Sequence, residues 1–325
     1  MNLKSRPVGL PQLSDFESVE EIVPELLDGQ VLLKTIYISV DPYLRGKMSG
    51  TKEPMFELNA PVSSKMIAEV VQSRHKQLKA GDMVCNYLDW KEYQVSDGAG
   101  LTKINADQVP ISTHLGVLGI TGLSAYLPLM EFGKPKPNET LVISGAAGAV
   151  GSIAGQIGKL MGCRVIGIVG TDEKAALIKD QFNFDEAINY KTEPDLRAAI
   201  AAHCVNGVDI YFDNVGGIIS EAVLNNINTY GRVVVCGSIS SYNEAEPLLS
   251  PSILPLVVYK FLSIQGFLIG DLAPGFPEGL IQLTTWIEEG KLKYTETILE
   301  GFEKLPEAFL GLFEGRNEGK MIVKI

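Results

Sequence analysis

The sequence predicts an α/β protein that joins a doubly wound parallel sheet to a β-rich, barrel-like domain. Three observations carry this reading. The first 110 residues hold short apolar runs broken by Gly, Pro and Asp, the pattern of a compact β domain. From Thr140 onward, strand-like and helix-like segments alternate up to residue 269, the signature of a parallel sheet with helices on both faces. Finally, 325 residues are too many for one small core and fit two domains of ordinary size.

In the first domain, residues 31–38, 68–72 and 83–87 read as strands, and Lys79-Ala80-Gly81-Asp82 as the turn before the third. Residues 116–130 mix small and large apolar side chains and are expected to open a helix that crosses between domains; Lys134-Pro135-Lys136-Pro137-Asn138 breaks it. Residues 141–143 form a short buried strand. Residues 150–161 then place Val150, Ile153, Ile157 and Leu160 at the spacing of one apolar helix face. Strand 164–169 precedes a helix over 172–182, and strand 186–190 precedes a helix over 193–203. Strands at 208–213, 232–236 and 263–269 continue the series. Two more helices are expected at 275–290 and 303–314. A terminal strand, 320–325, is expected to return to the first domain.

Composition narrows the function classes. With 46% hydrophobic and 21% charged residues the chain can bury real cores. Lys plus Arg number 28 against 39 Asp plus Glu, a net charge of −11, which argues against a nucleic-acid partner or broad docking on anionic membranes. Cys85, Cys163, Cys204 and Cys236 are widely scattered, so neither a disulfide framework nor a CxxC metal knuckle is expected. Cys163 and Cys236 lie in strand-like surroundings and read as free buried thiols. His75, His114 and His203 stand apart from one another, so three ligands converging on a catalytic zinc are not expected. No GxSxG elbow points to serine hydrolysis. The chain starts without the apolar region of a signal peptide, and no run reaches the ~18 apolar residues of a membrane span. A soluble protein of a reducing compartment, the cytoplasm, is the expectation.

Glycine is in excess, 33 residues or about 10% against a usual ~7%. Part of the excess lies in Ser144-Gly145-Ala146-Ala147-Gly148-Ala149-Val150-Gly151-Ser152, between a strand and an amphipathic helix. Glycines there let the chain turn tightly and bring backbone N–H groups close to a pyrophosphate, while the helix N-terminus supplies partial positive charge. An NAD site usually carries an acidic residue about 20 residues on, at the end of the next strand. Here that strand runs into Gly170-Thr171. Asp172 is displaced to the helix start, where it reads as an N-cap, and Lys174 is placed to neutralise a 2′-phosphate. NADP(H) is therefore favoured over NAD.

Further motifs join this turn. They are Ile38-Ser-Val-Asp41-Pro-Tyr43-Leu-Arg45-Gly46, Leu118-Gly-Ile-Thr-Gly-Leu-Ser-Ala-Tyr126, Ala147 to Ser152 with Gln156 and Lys159, Asp213-Asn-Val-Gly216, Cys236 to Tyr242, and Asn317. Together they make the chain resemble the zinc-independent medium-chain dehydrogenase/reductase superfamily, and within it the prostaglandin/leukotriene and alkenal/enone reductase branch. The resemblance runs over nearly the whole chain. It implies a Rossmann NADP-binding domain over 118–297, a GroES-like substrate domain over 1–117 and 298–325, and a homodimer, with the 263–269 strand edge as the expected contact.

The resemblance places Ala149, Val150, Gly151 and Ser152 at the pyrophosphate, and Lys174 and Tyr190 at the 2′-phosphate end. Asn214 lies beside the cofactor. Cys236, Gly237, Ser238, Ile239, Ser240, Ser241 and Tyr242 form the loop passing the nicotinamide half. Phe267, Leu268 and Ile269 resemble the strand bordering the carboxamide, and Asn317 the residue reaching back from the C-terminal segment. Thr121 departs from the family, where relatives often have Pro; this touches only local backbone shape.

The implied chemistry is NADPH-dependent hydride transfer to the C=C bond of α,β-unsaturated ketones or aldehydes, with NADPH:quinone reduction as the alternative. Such a step needs little acid–base apparatus, because the cofactor carries the difficult part and the protein aligns the reacting carbons. Charge develops on the carbonyl oxygen, so a hydrogen-bond donor there lowers the barrier. By resemblance Tyr242 is the catalytic candidate, acting with the nicotinamide ribose hydroxyl by holding the ribose or by donating directly. Asp41 and Arg45 read as structural and Tyr43 as facing the substrate. Residues 247–255, with Leu248, Leu249, Ile253 and Leu254, read either as an apolar flap or as a surface loop or subunit contact.

Overall fold

The computed structural model describes residues 1–49, 55–105, 109–246 and 251–325. The chain forms two compact units, Met1–Gly116 with Glu296–Ile325, and Val117–Thr295.

The first unit is built on an open sheet. Strand Val31–Ser39 pairs antiparallel with Ser63–Ser73, which pairs in turn with Met83–Asp89. On its other side Val31–Ser39 takes Lys320–Lys324 antiparallel, and Glu296–Glu300 adds to that strand in parallel. The C-terminal strand thus returns to the N-terminal sheet. Along Val31–Ser39 the buried phase runs Val31, Leu33, Thr35 and then switches to Ile38, because a register shift between Thr35 and Tyr37 inserts one residue. The core gathers Leu44, Met48, Trp90 and Phe309, all 0% exposed. Its polar members are partnered, as burial demands: the Trp90 indole donates to Ser64 Oγ at 2.8 Å, and that hydroxyl donates to the Ser39 carbonyl at 2.7 Å.

Asp41 and Arg45 serve this unit internally. The buried Lys320 ammonium donates to Asp41 Oδ1 at 3.0 Å and to the Val40 carbonyl at 2.8 Å. Arg45 donates to the carbonyls of Pro7 and Gly9, tying down the N-terminal loop.

Among its described residues the second unit holds six parallel strands: β1 (Thr140–Ser144), β2 (Arg164–Val169), β3 (Glu186–Asn189), β4 (Val208–Asp213), β5 (Ile227–Val235) and β6 (Ser263–Gly266). Their order is β3-β2-β1-β4-β5-β6, so the chain reverses its direction of travel across the sheet between β1 and β4. The helices are α1 (Ile120–Pro128), α2 (Gly151–Leu160), α3 (Asp172–Asp180), α4 (Leu196–His203), α5 (Gly217–Leu224), α6 (Leu254–Lys260) and α7 (Phe276–Glu288). Every residue of β1 is buried, as expected for a central parallel strand covered on both faces.

Three sequence expectations are corrected here, and one helix is added. Strand β6 stops at Gly266 rather than 269 because its ladder partner β5 stops at Val235; Ile269–Gly275 is a 3-10 turn. The segment after Ile253 is helix α6, since Pro255 sits in its first turn, where the missing N–H costs nothing. Pro247, Leu248 and Leu249 lie outside the described residues. The N-cap of α3 is Thr171, in extended conformation with its side chain accepting the Lys174 N–H; Asp172 follows in the first turn. Helix α5 has no counterpart in the sequence reading; Gly216 and Gly217, at φ +77° and +60°, turn the chain into it. Among the described residues no helix is long and apolar enough to cross a membrane.

Candidate active site

The site is built where the strands of the second unit end. After Ser144, Gly145 takes φ +61° and reverses the chain. The Gly148 N–H closes on the Gly145 carbonyl at 3.0 Å, and the Ser152 N–H on the Gly148 carbonyl at 3.0 Å. The Ala146 N–H reaches the Ile168 carbonyl of β2 at 3.1 Å, fixing the turn to its neighbour. A Cβ at Gly151 would lie 2.4 Å from the Gly145 carbonyl oxygen, so only glycine allows this packing. The turn delivers the N-terminus of α2, whose opening N–H groups precede the first helical bonds. Ala149 and Val150 are half-buried, while Gly151 and Ser152 are buried. Ser152 is 1% exposed and its N–H is taken by the Gly148 carbonyl, so it closes the turn from behind.

Across the point where the strand order reverses, Asp213 at the end of β4 gathers five donors. Its Oδ1 accepts from Ser144 Oγ at 2.9 Å, Tyr211 OH at 2.8 Å, and the N–H groups of Val215 and Gly216 at 2.9 Å each. Its Oδ2 accepts from Ser220 Oγ. Asn214 is fixed from two directions: its N–H donates to Ser144 Oγ at 2.9 Å and its side-chain amide to the Ser144 carbonyl at 2.7 Å. Its Oδ1 is therefore the acceptor it presents.

The loop after β5 is stitched onto this one. Cys236 and Gly237 donate their N–H groups to the Asp213 carbonyl at 2.8 and 3.2 Å, Ile239 to the Asn214 carbonyl at 3.4 Å, and Ser240 to the Val215 carbonyl at 3.0 Å. Ser241 Oγ donates to the Ser238 carbonyl at 2.8 Å. At the loop's end the half-buried Tyr242 hydroxyl accepts the Ser238 N–H at 3.4 Å. A Cβ at Gly237 would lie 3.0 Å from that hydroxyl, so glycine makes room for it. Burial pushes the Tyr242 phenol up, which keeps it protonated and able to donate at neutral pH. Burial, helped by the Asp213 charge, pushes the Cys236 thiol up to about 12, far from a reactive thiolate.

At the end of β2, Gly170 packs against the half-buried Tyr190: a Cβ there would lie 3.3 Å from Tyr190 Cε1 and 3.7 Å from its hydroxyl, so the missing side chain lets the ring close in. Lys174 is half-buried in the first turn of α3. Asp172 is held by the Asn189 side-chain amide at 2.7 Å.

The structure thus brings Ala149 to Ser152, Asn214 and Cys236 to Tyr242 to the ends of β1, β4 and β5, and sets Lys174 and Tyr190 at the end of β2. Phe267, Leu268 and Ile269 lie beyond the end of β6, with Leu268 76% exposed, so they do not border the site as a strand. Asn317 belongs to the first unit, where its side-chain amide donates to the Gly319 carbonyl at 2.8 Å.

The sequence reading passed over the partnerships of Ser144 and Asp213, although a polar residue ending each of two buried strands was a signal. It also passed over Tyr87 in the first unit. That phenol hydrogen-bonds Tyr43, and burial raises both above the ordinary phenol range. Lys47 and Lys65 lie over the two rings at 5.9 and 5.2 Å. Among the described residues no group of three or more His, Cys, Asp or Glu is placed to hold a metal ion.

A 3-2-1-4-5-6 parallel sheet with a glycine turn and a helix N-terminus at its point of reversal defines a dinucleotide-binding oxidoreductase of the Rossmann class. Comparison with known proteins narrows the class. Residues 1–104 match the family model described as the N-terminal domain of oxidoreductase, and residues 149–286 the model described as zinc-binding dehydrogenase. The YfmJ protein of Bacillus subtilis is 49% identical over 100% of this chain and 97% of its own. Prostaglandin reductase 1 of Mus musculus is 40% identical over 99% of this chain and 97% of its own. The crystal structure of CurA from Vibrio vulnificus in complex with NADPH superposes with a TM-score of 0.94 at 39% identity, covering 99% of this chain and 98% of that one. The chain belongs to the medium-chain dehydrogenase/reductase superfamily, in its NADP-dependent double-bond reductase branch.

Proposed function

We propose that this protein is an NADPH-dependent reductase that saturates the C=C bond of α,β-unsaturated ketones and aldehydes. The single observation that carries the cofactor half is the cradle itself: a turn whose Gly151 leaves no room for a Cβ, a helix N-terminus behind it, and Gly170, without a side chain, at the strand end where an NAD site would carry an acid. The relatives' names, prostaglandin reductase and NADPH-bound CurA, support the substrate class and the cofactor.

When bound, NADPH supplies a hydride equivalent at nicotinamide C4. The protein's part is to bind, orient and polarise. Backbone N–H groups of Ala149, Val150 and Gly151 hold the pyrophosphate, with Ser152 locking the turn through its bond to the Gly148 carbonyl, and Lys174 and Tyr190 hold the 2′-phosphate. Asn214 Oδ1 and the Cys236–Tyr242 loop position the nicotinamide half, with Phe267, Leu268, Ile269 and Asn317 assigned to its outer contacts by family resemblance. Tyr242 holds the ribose or offers its O–H to the substrate carbonyl oxygen, stabilising the charge that develops there. The Val117–Thr295 unit serves the cofactor, and the first unit, through Tyr43, serves the substrate.

We assign a second copy of the chain to the outer edge of β6. All four β6 residues are exposed, and no strand among the described residues covers that edge. Leu254, Val258, Tyr259 and Phe261 add exposed apolar area beside it in sequence. Four free cysteines suit a reducing cytoplasm, and the net charge of −11 speaks against nucleic acid.

The deciding experiment follows NADPH consumption across enones, enals and quinones with product identification. Saturated ketones and aldehydes are expected; turnover confined to quinones, yielding quinols, overturns the reading. Lys174→Ala is expected to weaken NADPH about 10- to 100-fold, the worth of a charge-assisted contact, while NADH changes little. Equal losses for both cofactors remove Lys174 from the 2′-phosphate. Tyr242→Phe is expected to lower kcat on enones about 100-fold with melting temperature unchanged. Wild-type kcat in that variant removes the phenol from the chemistry.

A further inference from the structure

Gly170 has a second neighbour. A Cβ there would lie 3.3 Å from Tyr190 Cε1 and 3.5 Å from Lys191 Cε, so the exposed Lys191 side chain brings its ammonium, one bond beyond that Cε, to the end of β2. The position comes from a fixed turn and not from the side chain alone. The Lys191 N–H donates to Asn189 Oδ1 at 3.2 Å, while the Thr192 N–H and hydroxyl both donate to the Asn189 carbonyl, at 3.1 and 3.2 Å. The same Asn189 holds the Asp172 carboxylate through its amide N–H at 2.7 Å. One side chain thereby keeps Asp172, two residues after Gly170, engaged and sets the backbone that carries the lysine.

A ribose 2′-phosphate bears close to two negative charges at neutral pH, more than the single cation of Lys174 balances. We infer that Lys191 is a second phosphate-reading residue, which together with Lys174 and the Tyr190 hydroxyl sets the preference for a 2′-phosphorylated adenine dinucleotide, and that Asn189 is its positioning residue. This rests on the NADPH reading above and extends it. A ribose 2′-hydroxyl gives the ammonium no charge to pair with, so the contact discriminates between cofactors as well as adding affinity.

Calorimetric titration of adenosine 2′,5′-bisphosphate and of 5′-AMP into the full chain tests this without turnover. The variants are Lys191→Ala, Lys191→Arg and Lys174→Ala. Lys191→Ala is expected to weaken the bisphosphate about tenfold, with 5′-AMP within about twofold of wild type, and Lys191→Arg to restore most of the loss. An unchanged bisphosphate affinity in Lys191→Ala, with Lys174→Ala weakened, overturns the role of Lys191 and leaves the NADPH reading standing. Wild-type protein that binds both nucleotides equally overturns that reading and this inference with it.

Discussion

Asp213→Ala is expected to lower the stability of the second unit by about 3–5 kcal/mol, the cost of breaking a buried charged network. At about 2–4 °C per kcal/mol for a unit of this size, that is a fall in melting temperature of roughly 6–20 °C. The carboxylate is 5% exposed and accepts from Ser144, Tyr211, Ser220 and the N–H groups of Val215 and Gly216. Truncation leaves those donors facing a void too deep for water to replace every bond, and each unsatisfied donor costs about 1–3 kcal/mol. The loss reaches function because Asn214 and the Cys236–Tyr242 loop hang on the same strand ends. Asp213→Asn separates the two effects. Its carbonyl can still serve the Oδ1 donors, but its NH2 meets Ser220, so a loss of about 1–2 kcal/mol is expected together with weakened NADPH binding. Thermal unfolding and a fluorescence titration with NADPH measure both; a melting temperature within 2 °C of wild type for the alanine variant would sink the account.

Asp213 also shows where the sequence stops being informative. The glycine turn was legible because its chemistry is local: Gly145 needs its φ of +61°, and Gly151 must clear a carbonyl six residues back. The strand–helix alternation was legible because apolar period and turn residues are local too. The bond from Ser144 to Asp213 spans 69 residues and exists only because β1 and β4 lie side by side in register. Nothing in either neighbourhood announces the other. The approach of Lys191 to Gly170 has the same origin, the pairing of β2 with β3. Element ends failed for a related reason: β6 stops where its partner stops, which Ser263 to Ile269 by themselves do not reveal. Helix α6 escapes the sequence reading because residues 247–255 read together as a flap or loop, although Leu254 and Pro255 already belong to its first turn.

Gly151→Ala is expected to abolish measurable NADPH binding, a rise in Kd of about 100-fold or more, with a loss of stability of about 1–3 kcal/mol. The added methyl would sit 2.4 Å from the Gly145 carbonyl oxygen and 3.0 Å from Ala146 Cα, both backbone atoms that no side-chain rotamer can relieve. Relief requires α2 to move away from the turn. The Gly145 carbonyl is the acceptor for Gly148, and Ala146 is tied to β2 through Ile168, so the displacement spreads through the cradle. Backbone N–H groups a fraction of an ångström out of place no longer converge on a pyrophosphate, and their contributions fall together. The fold survives because β1 and the apolar face of α2 stay packed. Gly148→Ala is the control: its Cβ would lie 3.2 Å from the same oxygen, a contact the loop can relax, and a much smaller rise in Kd is expected. Equal affinity of Gly151→Ala and wild type for NADPH, read by nicotinamide fluorescence, would show that the turn is a packing device and that the cofactor is held elsewhere.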